Sequence, residues 1–72
     1  MKISELSKRS GVTTASIKYY LREGLLFGGA AVSATQTEYD ETHAARLRLI
    51  RALIDVGGLS VSAARSVLAA ID

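Results

Sequence analysis

The sequence predicts a small all-α domain of four helices in two pairs, with one β-hairpin between the pairs. Three observations lead there. Apolar residues recur at helical spacing in four segments, and each segment is preceded by a residue suited to cap it: Ser4, Thr13, Asp40 and Ser60. The first two segments are separated only by Gly11-Val12. Residues 26–39 lose the helical period and turn to Gly, Ala, Ser and Thr, with β-favouring residues at both ends.

The first helix is expected from about Ser4 to Ser10. Ser4 caps it, Glu5 suits the positive end of its dipole, and Gly11 stops it. Ile3, Leu6 and Val12 supply its apolar contacts. Thr13 then caps a second helix that runs to about Glu23 and ends at Gly24, with Val12 reaching Ile17 as a hydrophobic staple. Two helices joined by a tight glycine turn form a helix-turn-helix. The hairpin that follows is a wing, expected to pair Leu26-Phe27 with Glu38-Tyr39. Asp40 caps a third helix over Glu41 to Val56, with Leu47, Ile50, Leu53 and Ile54 as its apolar stripe. Gly57-Gly58 ends it. Ser60 opens the fourth, which places Val61, Ala64, Val67, Leu68 and Ile71 on one face. The whole of 1–72 is thus one winged helix-turn-helix domain. Its last apolar period is still running at Asp72, so a longer natural protein is expected.

A chain of 72 residues without Cys has neither a disulfide nor a thiolate metal site to help a modest core. Apolar residues make up 49% and charged ones 22%, which favours a folded domain over a disordered one. The longest apolar run, "GLLFGGAAV", is too short to cross a bilayer, and no secretory leader is visible, so no membrane partner and a cytoplasmic location are expected. The net charge of +2 hides an asymmetry. Lys2, Lys8, Arg9, Lys18 and Arg22 gather in residues 1–22 against Glu5, whereas residues 23–41 hold four acids and no base. A basic patch on a small domain favours a polyanionic partner. An ordinary solvated helix surface carries similar charges.

The second helix separates its side chains by kind. Ile17, Tyr20, Leu21 and Gly24 fall on one face and must pack inward. Ala15, Lys18, Tyr19 and Arg22 point the other way, with Thr14 at the N-terminal edge. An outward face that is small at its start and basic further on suits a DNA major groove, where the N-terminal end goes deepest. Ala15 and the Thr14 methyl match thymine methyls, and the Thr14 hydroxyl matches a base edge or a phosphate. Lys18 and Arg22 match phosphates or guanine. The Tyr19 hydroxyl matches a phosphate, with the ring along the sugar.

These residues resemble a known family. "ISELSKRSGVTTASIKYYLREGLL" is similar to the start of the MerR-type transcriptional regulators, whose pattern is close to "IGELAKxTGVSxxTIRYYExxGLL". The likeness continues through "EYDETHAARLRLIRALIDVGGLSVSAARSVL", against "xYxxxDVxRLxFIxxxxxxGFSLxEIxxLL", and covers nearly the whole chain. The resemblance implies a recognition helix over about 13–24 that starts at Thr13 and Thr14, with Lys18 at its basic position and Tyr19 as its phosphate-contacting tyrosine. Tyr20 becomes mainly structural. The wing, 26–39, is implied to touch the adjacent backbone, with Gln36, Thr37 and Tyr39 as its contact positions. The resemblance further implies double-stranded promoter DNA as partner, RNA polymerase as an indirect one, and a homodimer formed through a C-terminal helix that lies outside these residues, as does any effector domain. The chain departs from the pattern at several places. Lys18 replaces an arginine, Leu21 a glutamate, and Phe27-Gly28-Gly29 the usual prolines. The change at Lys18 weakens bidentate reach, and Thr37 replaces the wing arginine, so a phosphate contact there is neutral and Glu38 beside it is repelled by the DNA backbone if it faces it.

Other constellations favour plain structural readings. His43, beside Asp40 and Glu41, makes no metal ligand set and is expected as an exposed polar residue in a first helical turn. Asp40 and Glu41 serve as cap and dipole charge rather than as a carboxylate pair. Neither Gly-Gly pair has phosphate-loop spacing, no hydroxyl has a paired base, and no cofactor is implied, so an enzyme is not supported. Arg48 and Arg51 share a face of the third helix, where Arg51 pairs with Asp55 at i+4 spacing and Arg48 pairs with Asp55 or serves a DNA phosphate. Two rivals to the regulator reading remain: a small excisionase-like architectural DNA binder, and a helical protein-docking module.

Overall fold

The computed structural model describes residues 1–72. The chain forms α1 (Ile3–Ser10), α2 (Thr14–Arg22), β1 (Ala30–Ala31), β2 (Thr37–Glu38), α3 (Glu41–Arg51), a π-helical segment over Ala52–Val56, and α4 (Val61–Ile71). The four expected helices and the hairpin are all present. α1 packs on both α2 and α3, and α4 packs on the π-helical segment. No helix is long and apolar enough to cross a membrane.

One core joins the two helix pairs. Leu6 from α1, Ile17 from α2, Leu47 and Ile50 from α3, and Leu68 from α4 are its largest fully buried aliphatic side chains, together with Leu25 from the loop after α2. Val12, Leu26, Ala44 and Ala64 complete it. On α4 only the Ala64 and Leu68 part of the expected apolar face is buried; Val67 and Ile71 are exposed.

The helix-turn-helix corner is fixed by hydroxyls as well as by glycine. Gly11 takes the left-handed conformation, φ 74°, and its amide bonds the Ser7 carbonyl at 2.9 Å. The Ser7 hydroxyl donates to the Val12 carbonyl at 2.6 Å, while the buried Ser10 hydroxyl accepts from the Val12 amide at 3.2 Å. A side chain at position 11 would be strained by its backbone and would meet the Arg51 guanidinium. The start of α1 differs from expectation. Its cap position is Lys2, whose carbonyl accepts from the Glu5 and Leu6 amides, and no side chain caps it; Ser4 lies inside the first turn, exposed.

The other caps follow the sequence. The Thr13 hydroxyl accepts from the Ser16 amide, and that of Ser60 from the Ala63 amide. Asp40 heads α3 in a capping box whose second half is His43. α3 stays α-helical only to Arg51, after which its pitch widens: the Gly57 amide bonds Ala52, five residues back. The expected helical stretch to Val56 is therefore correct in extent but not in geometry.

The hairpin pairs in a different place from that expected. Ala30 lies opposite Glu38 and Ala31 opposite Thr37, antiparallel. Leu26 is drawn into the core, 3% exposed, so the Leu26-Phe27 pair does not form the first strand. The burial gained by a core leucine outweighs the weak β preference of two alanines.

Candidate nucleic-acid interface

The outward row of α2 is as the periodicity requires. Ile17 is fully buried, Tyr20 and Leu21 are half-buried, and Thr14, Ala15, Lys18, Tyr19 and Arg22 are exposed. The Thr13 hydroxyl also donates to Ser16 Oγ at 3.0 Å, so this threonine is committed to the cap. The Arg22 guanidinium lies 5.5 Å from the Tyr19 ring centre, within cation–π range. That contact holds the ring and the charge side by side on one surface. Tyr20 turns inward. Burial raises its phenol above the ordinary value, with the Asp55 charge and then Tyr19 adding to the effect.

The end of α2 is fixed from behind. Arg65 of α4 donates through Nε to the Glu23 carbonyl at 2.8 Å and through Nη2 to Glu23 Oε1 at 3.1 Å. Arg46 of α3 donates through Nε to the Leu25 carbonyl at 3.1 Å, and its other nitrogens reach Asp72. These arginines satisfy one carbonyl at the helix end and one just past it. They tie the residues that follow α2 to α3 and α4.

The wing returns beside this helix. A groove of about 280 Å³ is lined by Lys2, Ile3, Lys18, Thr35, Gln36, Thr37, Glu38 and Tyr39. It thus gathers Lys18, Gln36, Thr37 and Tyr39 from the sequence-derived set; Thr13, Thr14, Ala15, Tyr19 and Arg22 lie outside it. Gln36 and Thr37 are exposed, whereas Tyr39 is half-buried with its ring edge-on to His43, 5.1 Å between centres. Lys2 is the member that sequence reasoning credits only with general attraction. No local pattern marks it, because its neighbours in the groove come from the far side of the hairpin. Glu38 is compensated there: its Oε2 lies 2.7 Å from the Met1 ammonium. The same ammonium bonds the Tyr39 carbonyl, and the Tyr39 amide bonds the Met1 carbonyl at 2.7 Å.

The charge distribution divides the molecule. Six of the seven Asp and Glu side chains have a cationic group within 4.0 Å, and the seventh, Asp40, lies beside the His43 ring. Arg9, Arg46, Arg48, Arg51 and Arg65 are the arginines in those pairs. Arg48 takes Glu41 rather than Asp55, while Arg51 takes Asp55 as the spacing predicts. Of the nine lysines and arginines, the four left without an acidic partner are Lys2, Lys8, Lys18 and Arg22. All four belong to the helix-turn-helix or the residue that heads it.

His43 corrects an expectation. It is buried, 5% exposed, not a surface residue. Its Nδ1 accepts from the Asp40 amide at 3.1 Å, and its Nε2 lies 3.2 Å from the Gly28 carbonyl. Asp40, with its carboxylate bonded first by the Thr42 hydroxyl and then by the Thr42 and His43 amides, is held down to about 2 from 3.8.

Comparison with known proteins agrees with this architecture. Over its full length the chain superposes on the lead(II)-bound transcription regulator PbrR691 from Ralstonia metallidurans CH34, with a TM-score of 0.90 at 30% identity. It superposes equally completely on a candidate transcriptional regulator, SCO5550, from Streptomyces coelicolor A3(2), with a TM-score of 0.80 at 56% identity. The chain spans 56% of the first protein and 30% of the second. No curated protein matches it. The sequence pattern of the MerR helix-turn-helix family of regulatory proteins matches residues 1–71, and the chain belongs to that family of DNA-binding transcriptional regulators.

Proposed function

We propose that this domain reads double-stranded promoter DNA with α2 in the major groove and the wing on the neighbouring backbone. The observation that carries this reading is the charge division: the cations of α3 and α4 are paired with acids, and the unpartnered ones all lie in the helix-turn-helix or the residue that heads it. Phosphates replace the missing acids, and their counterions are released on binding. Thr14 and Ala15, small and exposed at the start of α2, meet base edges. Lys18, Tyr19 and Arg22 hold phosphates or guanine, and Lys2 and Lys18 face one strand across the groove from Gln36 and Thr37. Thr13 supports the helix start, and Tyr39 supports the base of the wing. In the cytoplasm, a longer protein that carries this domain dimerises through a helix beyond it, binds a near-palindromic promoter and distorts it for RNA polymerase.

Fluorescence anisotropy on a duplex chosen from a random library tests the assigned face. Lys18→Ala and Tyr19→Ala are each expected to weaken binding about tenfold, roughly the effect of one good contact. Lys18→Ala is also expected to reduce the slope of log affinity against log salt by about 1. Normal binding by both folded variants would overturn the assignment. A salt-insensitive affinity with no preference for duplex would favour protein docking instead.

A further inference from the structure

The wing lacks what ordinarily orders a short hairpin. Its strands are two residues each, its side chains from Ala30 to Glu38 are all exposed, and it is reached through Gly28-Gly29. A two-stranded hairpin of this size has little stability of its own, and its closest approach between the legs, Gly29 against the Glu38 backbone, holds the legs to each other and not to the helices. What fixes its direction must therefore act at its base.

Met1 holds the second leg there through Glu38 and the Tyr39 backbone, and His43 is the side chain that reaches both legs. A carbonyl only accepts, so Nε2 carries the hydrogen and donates to Gly28, between Phe27 and the paired strands. The other nitrogen belongs to the capping box of α3. The ring lies 4.6 Å from the Phe27 ring, tilted 53°, and 5.1 Å from that of Tyr39, edge-on at 88°. Phe27 and Tyr39 stand on the two legs of the wing, so one imidazole grips both. Arg46, one turn further along α3, lies 5.9 Å over the Phe27 ring from its guanidinium carbon. Phe27 is otherwise 46% exposed, so His43 and Arg46 account for how the structure holds it.

We infer that His43 is a positioning residue for DNA binding: it ties the first helical turn of α3 to both legs of the wing and so sets Gln36 and Thr37 across the groove from Lys18. The inference rests on the DNA-binding reading for its consequence and on wing geometry for its cause. His43→Gln separates the two jobs of the ring. Glutamine at the third helical position is itself a capping-box residue, so the Asp40 amide keeps an acceptor while the Gly28 bond and both ring contacts are lost.

Far-UV helicity is expected to be retained. Amide exchange at Val32, whose N–H bonds Gln36 at 3.0 Å, is expected to quicken about tenfold as the wing opens locally. Duplex affinity is expected to fall about three- to tenfold, because the wing must then be ordered on binding. Thr37→Ala should weaken the parent domain yet add little in the His43→Gln background, the coupling that a shared route produces. Unchanged Val32 exchange in a helical His43→Gln variant would overturn the inference, as would additive losses with Thr37→Ala. If His43→Gln loses helicity, Phe27→Ala decides by the same exchange and affinity readouts. Affinity lost by Lys18→Ala but kept by His43→Gln would overturn this inference alone. Affinity kept by both would overturn the assigned DNA face, leaving Val32 exchange to decide whether His43 holds the wing.

Discussion

α2 and the wing flank one groove, yet they are held there by different means. α2 is anchored along its length: Ile17 is in the core, Thr13 caps its start, and Arg65 and Arg46 take the carbonyls at and just past its end. The wing has no core residue between Phe27 and Glu38 and is fixed at its base by His43 and Met1. A surface built in this way joins a half packed into the core, which carries the unpaired cations, to a half held at its base, which carries hydroxyls and an amide. The difference teaches that geometry on the two sides of the groove fails under different perturbations, and each can be disturbed with the other left in place.

The largest effect is expected on the core-packed side. Ile17→Ala removes a fully buried side chain where α2 meets the core. Such truncations cost about 2–5 kcal/mol, and a domain of this size rarely has more than about 3–5 to spare. Urea denaturation followed by far-UV circular dichroism should show the variant largely unfolded, or with a midpoint close to zero denaturant. A variant nearly as stable as the parent would mean that α2 is held chiefly by its caps and arginines, and the contrast with the wing would fade.

The same contrast governs what the sequence makes legible. Thr13, Asp40 and Ser60 cap the helices they precede because capping is decided within four residues. The division of α2 into an inward row with Ile17 and an outward row with Lys18 and Tyr19 is likewise local. Ser4 misleads because the chain is already helical at Ile3, with the Lys2 carbonyl taking the first amides, and a serine inside a first turn has the same sequence signature as one before it. The wing is misread for a longer-range reason. Leu26-Phe27 has the better strand composition, but Leu26 has a place in the core, and Ala30-Ala31 pairs because it comes next after the glycines. His43, in a charged stretch, looks solvated; the wing folds back over it, and no neighbour in sequence announces that. It stands where the family pattern carries an aspartate, and Phe27-Gly28-Gly29 stands where that pattern carries prolines. The two departures meet in space. Of the candidate interface, the charged helical face is therefore open to sequence reasoning, while the place of Lys2 in the groove and of His43 under the wing requires the tertiary fold.

An intermediate effect sits at the junction of the two regions. The Asp40 carboxylate caps α3 and its pKa is depressed from 3.8 to about 2, the Thr42 hydroxyl contributing most. A depressed carboxylate contributes its stability in full above its unfolded value and loses it as pH falls through the folded one. The cap should therefore hold above about pH 4 and fail on the way to about pH 2. Asp72, also lowered by its bond to Arg46, titrates in the acid range too. Urea midpoints of the parent and Asp40→Asn across this range separate the two carboxylates, because asparagine caps without titrating. The parent should lose stability relative to Asp40→Asn as pH falls. Parallel pH profiles would show that the Thr42 bonds contribute nothing to folding.

The smallest effect is expected at the tip of the wing. Val32 is 60% exposed, and what its residue gives the hairpin is a backbone N–H to the Gln36 carbonyl, which alanine supplies equally. Val32→Ala should therefore shift the urea-derived stability by less than about 0.5 kcal/mol, the usual range for surface positions. The value of so mild a substitution lies in its pairing with Ile17→Ala. If the tip belonged to the same cooperative unit as α2, shortening an apolar side chain there would move the global midpoint; if the wing opens separately, its stability is absent from that midpoint altogether. A loss well above this range would join the wing to the core and remove the reason for an anchor at His43, since a hairpin packed along its length needs no tether at its base.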